Sequence, residues 1–397
     1  MQVHFLTLGF LFLAISACKS TSIVQDLTRK PELKSELGDF DSSKNERLIS
    51  LAKKMAPIFY FHPTEEYEAS SPEWFIARAG LKYIDRNRNI DYMIIPPGKI
   101  KSFEQLISQK GTIPGAKISY DSSGPPDGHL HLFIGKNEYE KTARGNLESA
   151  RCFARPHRIV KENGVAYIDI PYAMFYPYNP RSEYDTLINP IKHVYNGTTY
   201  LLNEGAHEGD IEHITIRVDP DTEAIVAVFY SAHGHEDSSW YFNPAQTEKD
   251  GDDYLAANDG YKMEGDSIIA FSARGTHGMY NRIGESLRRT LDAKTDSWFK
   301  WFMGKFILAN ERLGLGKMIR CSDSGKMDIF TEADGKYGEK KLSWLAFSGR
   351  WGSFPPGVRG DDGPFGLMNK SWWTGAEEET GEDAKRFAEL ESKRLGE

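Results

Sequence analysis

The chemistry-bearing residues of this chain gather in one run, His207-Glu208-Gly209-Asp210-Ile211-Glu212-His213. From Asp210 onward the run reads as a strand, whose side chains alternate between faces. Asp210, Glu212, Ile214, Ile216 and Val218 then share one face; Ile211, His213, Thr215 and Arg217 share the other. Two carboxylates thus open a face that is otherwise apolar, and ionised carboxylates beside a core are costly unless compensated. A bound cation would offset their charge and mutual repulsion. Pairing with arginines such as Arg274 would do the same, and the residues leave both open. His207, three positions before Asp210 on a glycine-containing turn, can fold over the same point. Two more histidine-bearing strand ends could converge there: His233 and His235 in Ser231-Ala232-His233-Gly234-His235, and Arg274 and His277 in Ala273-Arg274-Gly275-Thr276-His277-Gly278.

Other chemistries lack their motifs. The chain has no Gly-Xaa-Ser-Xaa-Gly elbow, no His-Glu-Xaa-Xaa-His zinc helix and no Walker-type phosphate loop. Asp250-Gly251-Asp252-Asp253 is acidic but lacks the spacing and terminal Glu of an EF-hand. The tripeptide Arg359-Gly360-Asp361 is short enough to arise by chance.

The elements that must position the acidic run are strands. Ala56 to Pro63 reads as a first buried strand, entered from a short helix over Asn45 to Met55. Gly164 to Tyr176, Asp210 to Asp219, Ala224 to Ser231 and Ser267 to Ala273 follow, with a turn at Pro220-Asp221-Thr222 closing a hairpin. Asn243 to Asp259 is turn-rich and acidic, an exposed loop. Asp296 to Leu308 crowds Trp and Phe and reads as a helix packing a wide apolar face on the sheet, with a membrane-contacting insertion as the alternative. Aromatic, Gly and Pro content fit the same picture, so the fold expected is mostly β, a sandwich-like core with added helices.

Phe5 to Ile15 is apolar apart from Thr7 and Gly9, too short to span a bilayer. It has the length of a signal-peptide core. It ends Ile15-Ser16-Ala17-Cys18, a lipobox, so Cys18 is the expected lipidation site. His4 stands where Lys or Arg is usual before such a core. Lys19 follows the cysteine in place of the Asp of inner-membrane retention, which points to a protein of the cell envelope lipid-anchored in the outer membrane. The expected organisation is 1–17 signal peptide, 18–48 polar tether, 49–375 β-rich domain and 376–397 acidic tail, a solvated helix or disordered. Cys152 and Cys321 remain for one disulfide in an oxidising compartment. The net charge of -8 with no basic cluster argues against nucleic acid as a partner.

Six segments, in order, resemble the vacuolar-protein-sorting sixty-two family. They are Ala56-Pro57 with Phe61-His62-Pro63-Thr64-Glu65; Phe175-Tyr176-Pro177-Tyr178-Asn179; His207 to His213; Tyr230-Ser231-Ala232-His233; Ala273 to His277; and Gly349-Arg350-Trp351-Gly352 with Gly363-Pro364. Together they cover most of residues 50 to 373. Ile211 stands where that family usually has Trp. More distantly, His207, Asp210 and Glu212 are similar in spacing to the divalent-cation ligands of the necrosis- and ethylene-inducing-like cytolysins, β-sandwich proteins that engage membrane sphingolipid. The resemblance places Asn179 where that family has an upstream Asp ligand.

What the residues and the resemblance imply is a divalent cation held by His207, Asp210, Glu212 and Asn179, with His233, His235, Arg274 and His277 around them. Oxygen-rich ligation favours Ca²⁺ or Mg²⁺; the imidazole leaves Mn²⁺ or Zn²⁺ open. The expected function is a membrane-anchored module whose cation site supports binding of a lipid head group or glycan. The alternatives are a metal-dependent hydrolase completed by His233, His235 and His277, and a structural envelope lipoprotein without a metal.

Overall fold

The computed structural model describes residues 42–85, 90–107, 129–180, 183–186, 193–195, 198–200, 206–232, 238–242, 260–289, 307–331, 343–347, 349–353, 363–375 and 377–395. Cys18, His233, His235, the 243–259 loop and most of the 296–308 segment lie outside them. Ile307 and Leu308 open a strand, so the expected helix does not extend to them.

Strands dominate. Ile58–Phe61 (β1), Gly80–Asp85 (β2), Ile90–Ile95 (β3), His129–Phe133 (β4), Cys152–Ala154 (β5), His157–Val160 (β6) and Ala166–Asn179 (β7) come first. Glu183–Thr186 (β8), His193–Tyr195 (β9), Thr198–Tyr200 (β10), His207–Val218 (β11), Ile225–Tyr230 (β12) and Ser239–Tyr241 (β13) follow. Lys262–Glu264 (β14), Ser267–Ser272 (β15), Met279–Tyr280 (β16), Gly284–Arg289 (β17), Ile307–Leu313 (β18), Met318–Arg320 (β19) and Met327–Ile329 (β20) complete the set. The helices are Ser42–Lys54 (α1), Pro72–Ile76 (α2), Phe103–Ile107 (α3), Tyr139–Ala143 (α4), Ser371–Thr374 (α5) and Gly381–Leu395 (α6). The fold is mostly β with helices added, as expected.

Two sheets make the central sandwich. One runs β13-β12-β11-β7-β5-β20, with β6 also on β7; the other runs β14-β15-β1-β19, with β16 on β15. Ile214, Ile216 and Val218 of β11 and Ile170 of β7 meet Phe59 of β1 and Ile268 of β15 between them. Each such side chain, fully buried, contributes roughly 1.5–3 kcal/mol. The other side of β7 is covered too. Phe175 packs with Leu81 and Tyr83 of β2 and Leu130 and Leu132 of β4. A strand buried on both faces has no polar side to show, which is why β7 is apolar nearly throughout.

The hairpin forms where the sequence placed it, with Ile214 opposite Tyr230 and Thr215 opposite Phe229. β11 begins earlier than Asp210, at His207, and β7 runs on to Asn179. Cys152, in β5, and Cys321, just after β19, are joined by a disulfide with their Cα atoms 5.7 Å apart. The bond ties one sheet of the sandwich to the other.

The acidic tail, expected as a solvated helix or disordered, is a helix over Gly381–Leu395, mostly exposed but docked on the sheet through Phe387. Arg217 of β11 is fully buried, and Asp169 of β7 accepts from its Nε at 2.7 Å and its Nη2 at 2.8 Å. Glu379 of the tail pairs with the same guanidinium. Phe387 of α6 covers it from 4.5 Å and packs edge-on against Trp240. An unpaired charge there would be expensive; two carboxylates and aromatic faces compensate it. Phe387→Ala is expected to cost about 3 kcal/mol and to speed amide deuterium exchange across Gly381–Leu395, with the rest of the sheet unchanged. Replacing both cysteines by alanine should lower stability to chemical denaturation by roughly 2–4 kcal/mol. Dithiothreitol should then have no further effect on that variant.

Candidate functional site

The register of β7 against β11 builds the site. Asp210 lies opposite Tyr176 and His207 opposite Asn179, so the ends of both strands finish together. Asn179 Nδ2 donates to Asp210 Oδ2 at 3.0 Å and to the Thr276 carbonyl at 3.2 Å. His277 stands on the other side of the carboxylate, its Nδ1 3.3 Å from Oδ2. Its Nε2 lies 3.1 Å from the Tyr67 carbonyl, and its ring stacks on Tyr176 at 3.8 Å. Tyr176 is fixed in turn by its hydroxyl, 3.0 Å from Ser272 Oγ.

The loop that delivers His277 is held by a second acid. Gly275 donates its backbone N–H to Glu65 Oε2 at 2.7 Å. His277 itself takes φ 63°, a left-handed conformation rare for a residue with a Cβ. Strain of that kind persists where surrounding contacts over-determine it, and here the stack, the carboxylate and the carbonyl all do so.

Asp210 is nearly fully buried. Burial alone would raise its carboxyl. The hydrogen bond from His277 and the charges of His207 and His277, with the Asn179 bond, outweigh it and hold the group below the usual Asp range. The carboxylate is therefore kept ionised at the end of a buried strand. Glu212 lies on the same face, and Ser231 Oγ donates to its Oε2 at 3.0 Å. The interior residues of that face, Ile214 to Val218, enter the sandwich core as expected.

Glu208 behaves differently, because Gly209 breaks the alternation. Gly209 has φ 67°, and a Cβ there would meet the Trp351 carbonyl at 2.1 Å. Glu208 accordingly turns away from Asp210. Its Oε2 accepts from Ile134 N at 3.1 Å, Ser353 N at 3.3 Å and Ser353 Oγ at 2.9 Å. Burial pushes its carboxyl up to about 8, against the opposing hydrogen bonds from Ile134 and Ser353. One residue apart from the glycine on either side, two acids are shifted in opposite directions.

The other expected site residues fall as follows. His207 is part-buried, and its Nδ1 contacts the Gly209 carbonyl at 2.6 Å. Arg274 shapes the loop by donating its backbone N–H to Arg312 O at 2.8 Å, and Asp210 is met by Asn179, by His277 and by the Ile211 backbone N–H, which donates to its Oδ1 at 2.9 Å. His213, on the opposite face, stacks on Trp372 at 3.7 Å and meets Glu377 Oε2 at 2.7 Å, a structural role. Among the described residues no three His, Cys, Asp or Glu side chains stand close enough together to hold a metal ion. The donor types suit a hard cation, but the rotamers do not converge: Asp210 faces nitrogens of Asn179, His277 and Ile211, Glu212 accepts from Ser231, and His207 faces its own turn. Sequence reasoning did not assign a role to Glu65 or Glu208. Glu65 carried a signal, since it belongs to the Phe61-His62-Pro63-Thr64-Glu65 segment.

The model of the family described as Vacuolar protein sorting-associated protein 62 matches residues 9–294. No curated protein matches the chain. Two solved structures are similar over three quarters of its length. One is NLPPya in complex with glucosamine, 12% identical, covering 75% of this chain and 76% of that one, with a TM-score of 0.25. The other is Necrosis and Ethylene inducing Protein 2 from the causal agent of cocoa's Witches Broom disease, 12% identical, covering 75% and 77%, with a TM-score of 0.28. Likeness at that level assigns no residue, ligand or activity.

Glu208 generates a test with a defined sign. A carboxyl raised in the folded state holds a proton that the unfolded chain releases, so its contribution to stability is present at acid pH and lost as pH rises towards 8. Glu208→Gln keeps the acceptor and removes the ionisation. The variant should lose less stability than wild type between about pH 5 and 8, by on the order of 2–3 kcal/mol in equilibrium unfolding. Parallel pH profiles for the two proteins would contradict the assignment.

Proposed function

The chain belongs to the Vacuolar protein sorting-associated protein 62 family, and we propose that it acts as an envelope-held binding module rather than an enzyme. Cleavage before Cys18 and lipidation of that residue would fix it to the outer membrane. A multi-chain lipid gives stable anchoring, and the polar tether would give the domain reach. The buried Cys152–Cys321 disulfide supports an oxidising compartment, where such bonds persist.

The working face is the shared end of β7 and β11. One observation carries this reading: Asp210 is kept ionised while almost wholly buried, next to Glu212 on the same face. A divalent cation would be held there by Asp210 and Glu212, with His207 and Asn179 turning towards it. Its chemistry would be to present positive charge to the phosphate of a lipid head group or the hydroxyls of a glycan. Ca²⁺ or Mg²⁺ suits the oxygen donors best, and Mn²⁺ or Zn²⁺ also accepts an imidazole.

A specific observation favours one rival. Asp210 already has Asn179 and His277 as partners, which is what a purely structural carboxylate would show. The hydrolase reading has no such support, since both ring nitrogens of His277 are already engaged. Thermal unfolding with added Ca²⁺, Mg²⁺, Mn²⁺ or Zn²⁺ separates the first two. An ion bound only by the native state raises the melting temperature. Wild type should gain several degrees with one ion, and the Asp210→Ala, Glu212→Ala variant none. Equal responses would leave the structural reading. Binding to phospholipid and glycolipid vesicles, with and without chelator, then reads the ligand class.

A further inference from the structure

One carboxylate outside the acidic run holds both sides of the contact that covers Asp210. We propose that Glu65 is the latch of a cap on Asp210. Its two oxygens tie the turn over Glu65–Tyr67 to the loop over Ala273–Gly278, and so keep His277 seated on the Asp210 carboxylate. The inference rests on the binding reading for the importance of Asp210, and its test needs no cation.

The cap is a closed loop. His277 donates its backbone N–H to the Ala273 carbonyl at 3.0 Å, and Ala273 donates its own to the Gly278 carbonyl at 3.0 Å. Gly275, at φ 80°, and His277, at φ 63°, both bend it through the left-handed region. Asn179 Nδ2 holds the Thr276 carbonyl at 3.2 Å, and Asp210 Oδ2 lies 3.3 Å from His277 Nδ1. Those two fastenings belong to the candidate ligands themselves, so they are the ones an incoming ligand has to break. The bond from Gly275 N to Glu65 Oε2, at 2.7 Å, is shorter than either and comes from outside the ligand set.

Glu65 also acts on the imidazole from its far side. Its Oε1 accepts from the backbone N–H of Glu66 at 2.9 Å and of Tyr67 at 2.8 Å. The turn so formed presents the Tyr67 carbonyl to His277 Nε2 at 3.1 Å. The amide on the other side of that peptide, Glu68 N, donates to Arg144 O at 2.9 Å and fixes its plane. Both ring nitrogens therefore face oxygen acceptors, and one carboxylate positions the loop that carries the ring and the carbonyl that receives it. Glu65 is partly exposed, whereas Thr276 and His277 are buried. Water reaches the latch but not the group beneath the cap. A left-handed residue with a Cβ keeps its conformation only while its surroundings enforce it. Loss of the latch lets the loop lift and uncovers Asp210, while the strands that carry it stay paired.

Glu65→Ala removes both sets of bonds; Glu65→Gln, with a single acceptor oxygen, keeps only one. Carbethoxylation of His277 by diethyl pyrocarbonate, read by peptide mass spectrometry in the presence of chelator, reports the opening. It should be at least about tenfold faster in Glu65→Ala than in wild type, with Glu65→Gln between them. His131, buried elsewhere, should stay unreactive in all three. Unchanged reactivity of His277 would overturn the proposal, and so would an equal rise at His131, which signals general loosening. A double-mutant cycle of Glu65→Ala and Asp210→Asn then tests the route. The losses in unfolding midpoint should be non-additive in wild type and additive in a His277→Ala background. Additivity in both backgrounds, or coupling that survives His277→Ala, would defeat the latch. A protein that passes both tests yet shows no melting shift with any ion keeps the latch and loses the cation.

Discussion

The antiparallel register between Ala166–Asn179 and His207–Val218 is the constraint on which the rest depends. With a side-chain period of two, a slip by one residue would carry Ile214, Ile216 and Val218 out of the sandwich and bring His213 and Arg217 in. The same register sets Asn179 beside Asp210 and Asp169 beside Arg217. Both ends of the strand pair are therefore pinned by polar contacts that form in one alignment only. The apolar middle supplies the burial energy, and the polar ends supply uniqueness.

Three buried charged groups along these strands each have matched partners. Arg217 has Asp169 and Glu379; Asp210 has Asn179 and His277; Glu208 has Ile134 and Ser353 and is pushed towards its neutral form. The two acids flanking Gly209 show how little separates opposite solutions. The positive φ of that glycine sends one carboxylate to imidazole and amide donors and the other to Ile134 and Ser353. Strand periodicity cannot foresee this, since it assumes that side chains two apart share a face.

Much of the frame was legible from residue patterns. Alternation over Asp210 to Val218 named the core-facing side, and the hairpin with Ile225–Tyr230 followed from Pro220-Asp221-Thr222. Of the site, Asp210, Asn179 and His277 meet, and they come from three of the six segments that carried the family resemblance; Glu65, which holds the His277 loop, comes from a fourth. What sequence could not show was pairing across the chain. The tail read as solvated because α6 is rich in charge, and only the assembled sheet reveals that Arg217 and Trp240 await Phe387 and Glu379.

The order of strands carries a cost for biogenesis. Ile58–Phe61 is made early but pairs in parallel with Ser267–Ser272 and antiparallel with Met318–Arg320, and Cys152 waits for Cys321, 169 residues later. A nascent chain must therefore keep the segment Ile-Phe-Tyr-Phe unpaired until nearly the whole domain has been synthesised. Such non-local closure folds slowly and leaves an apolar, β-prone segment open to mispairing meanwhile. The sandwich that protects the site in the finished molecule thus closes late, and the cell must hold the unfinished chain apart from its copies until it does.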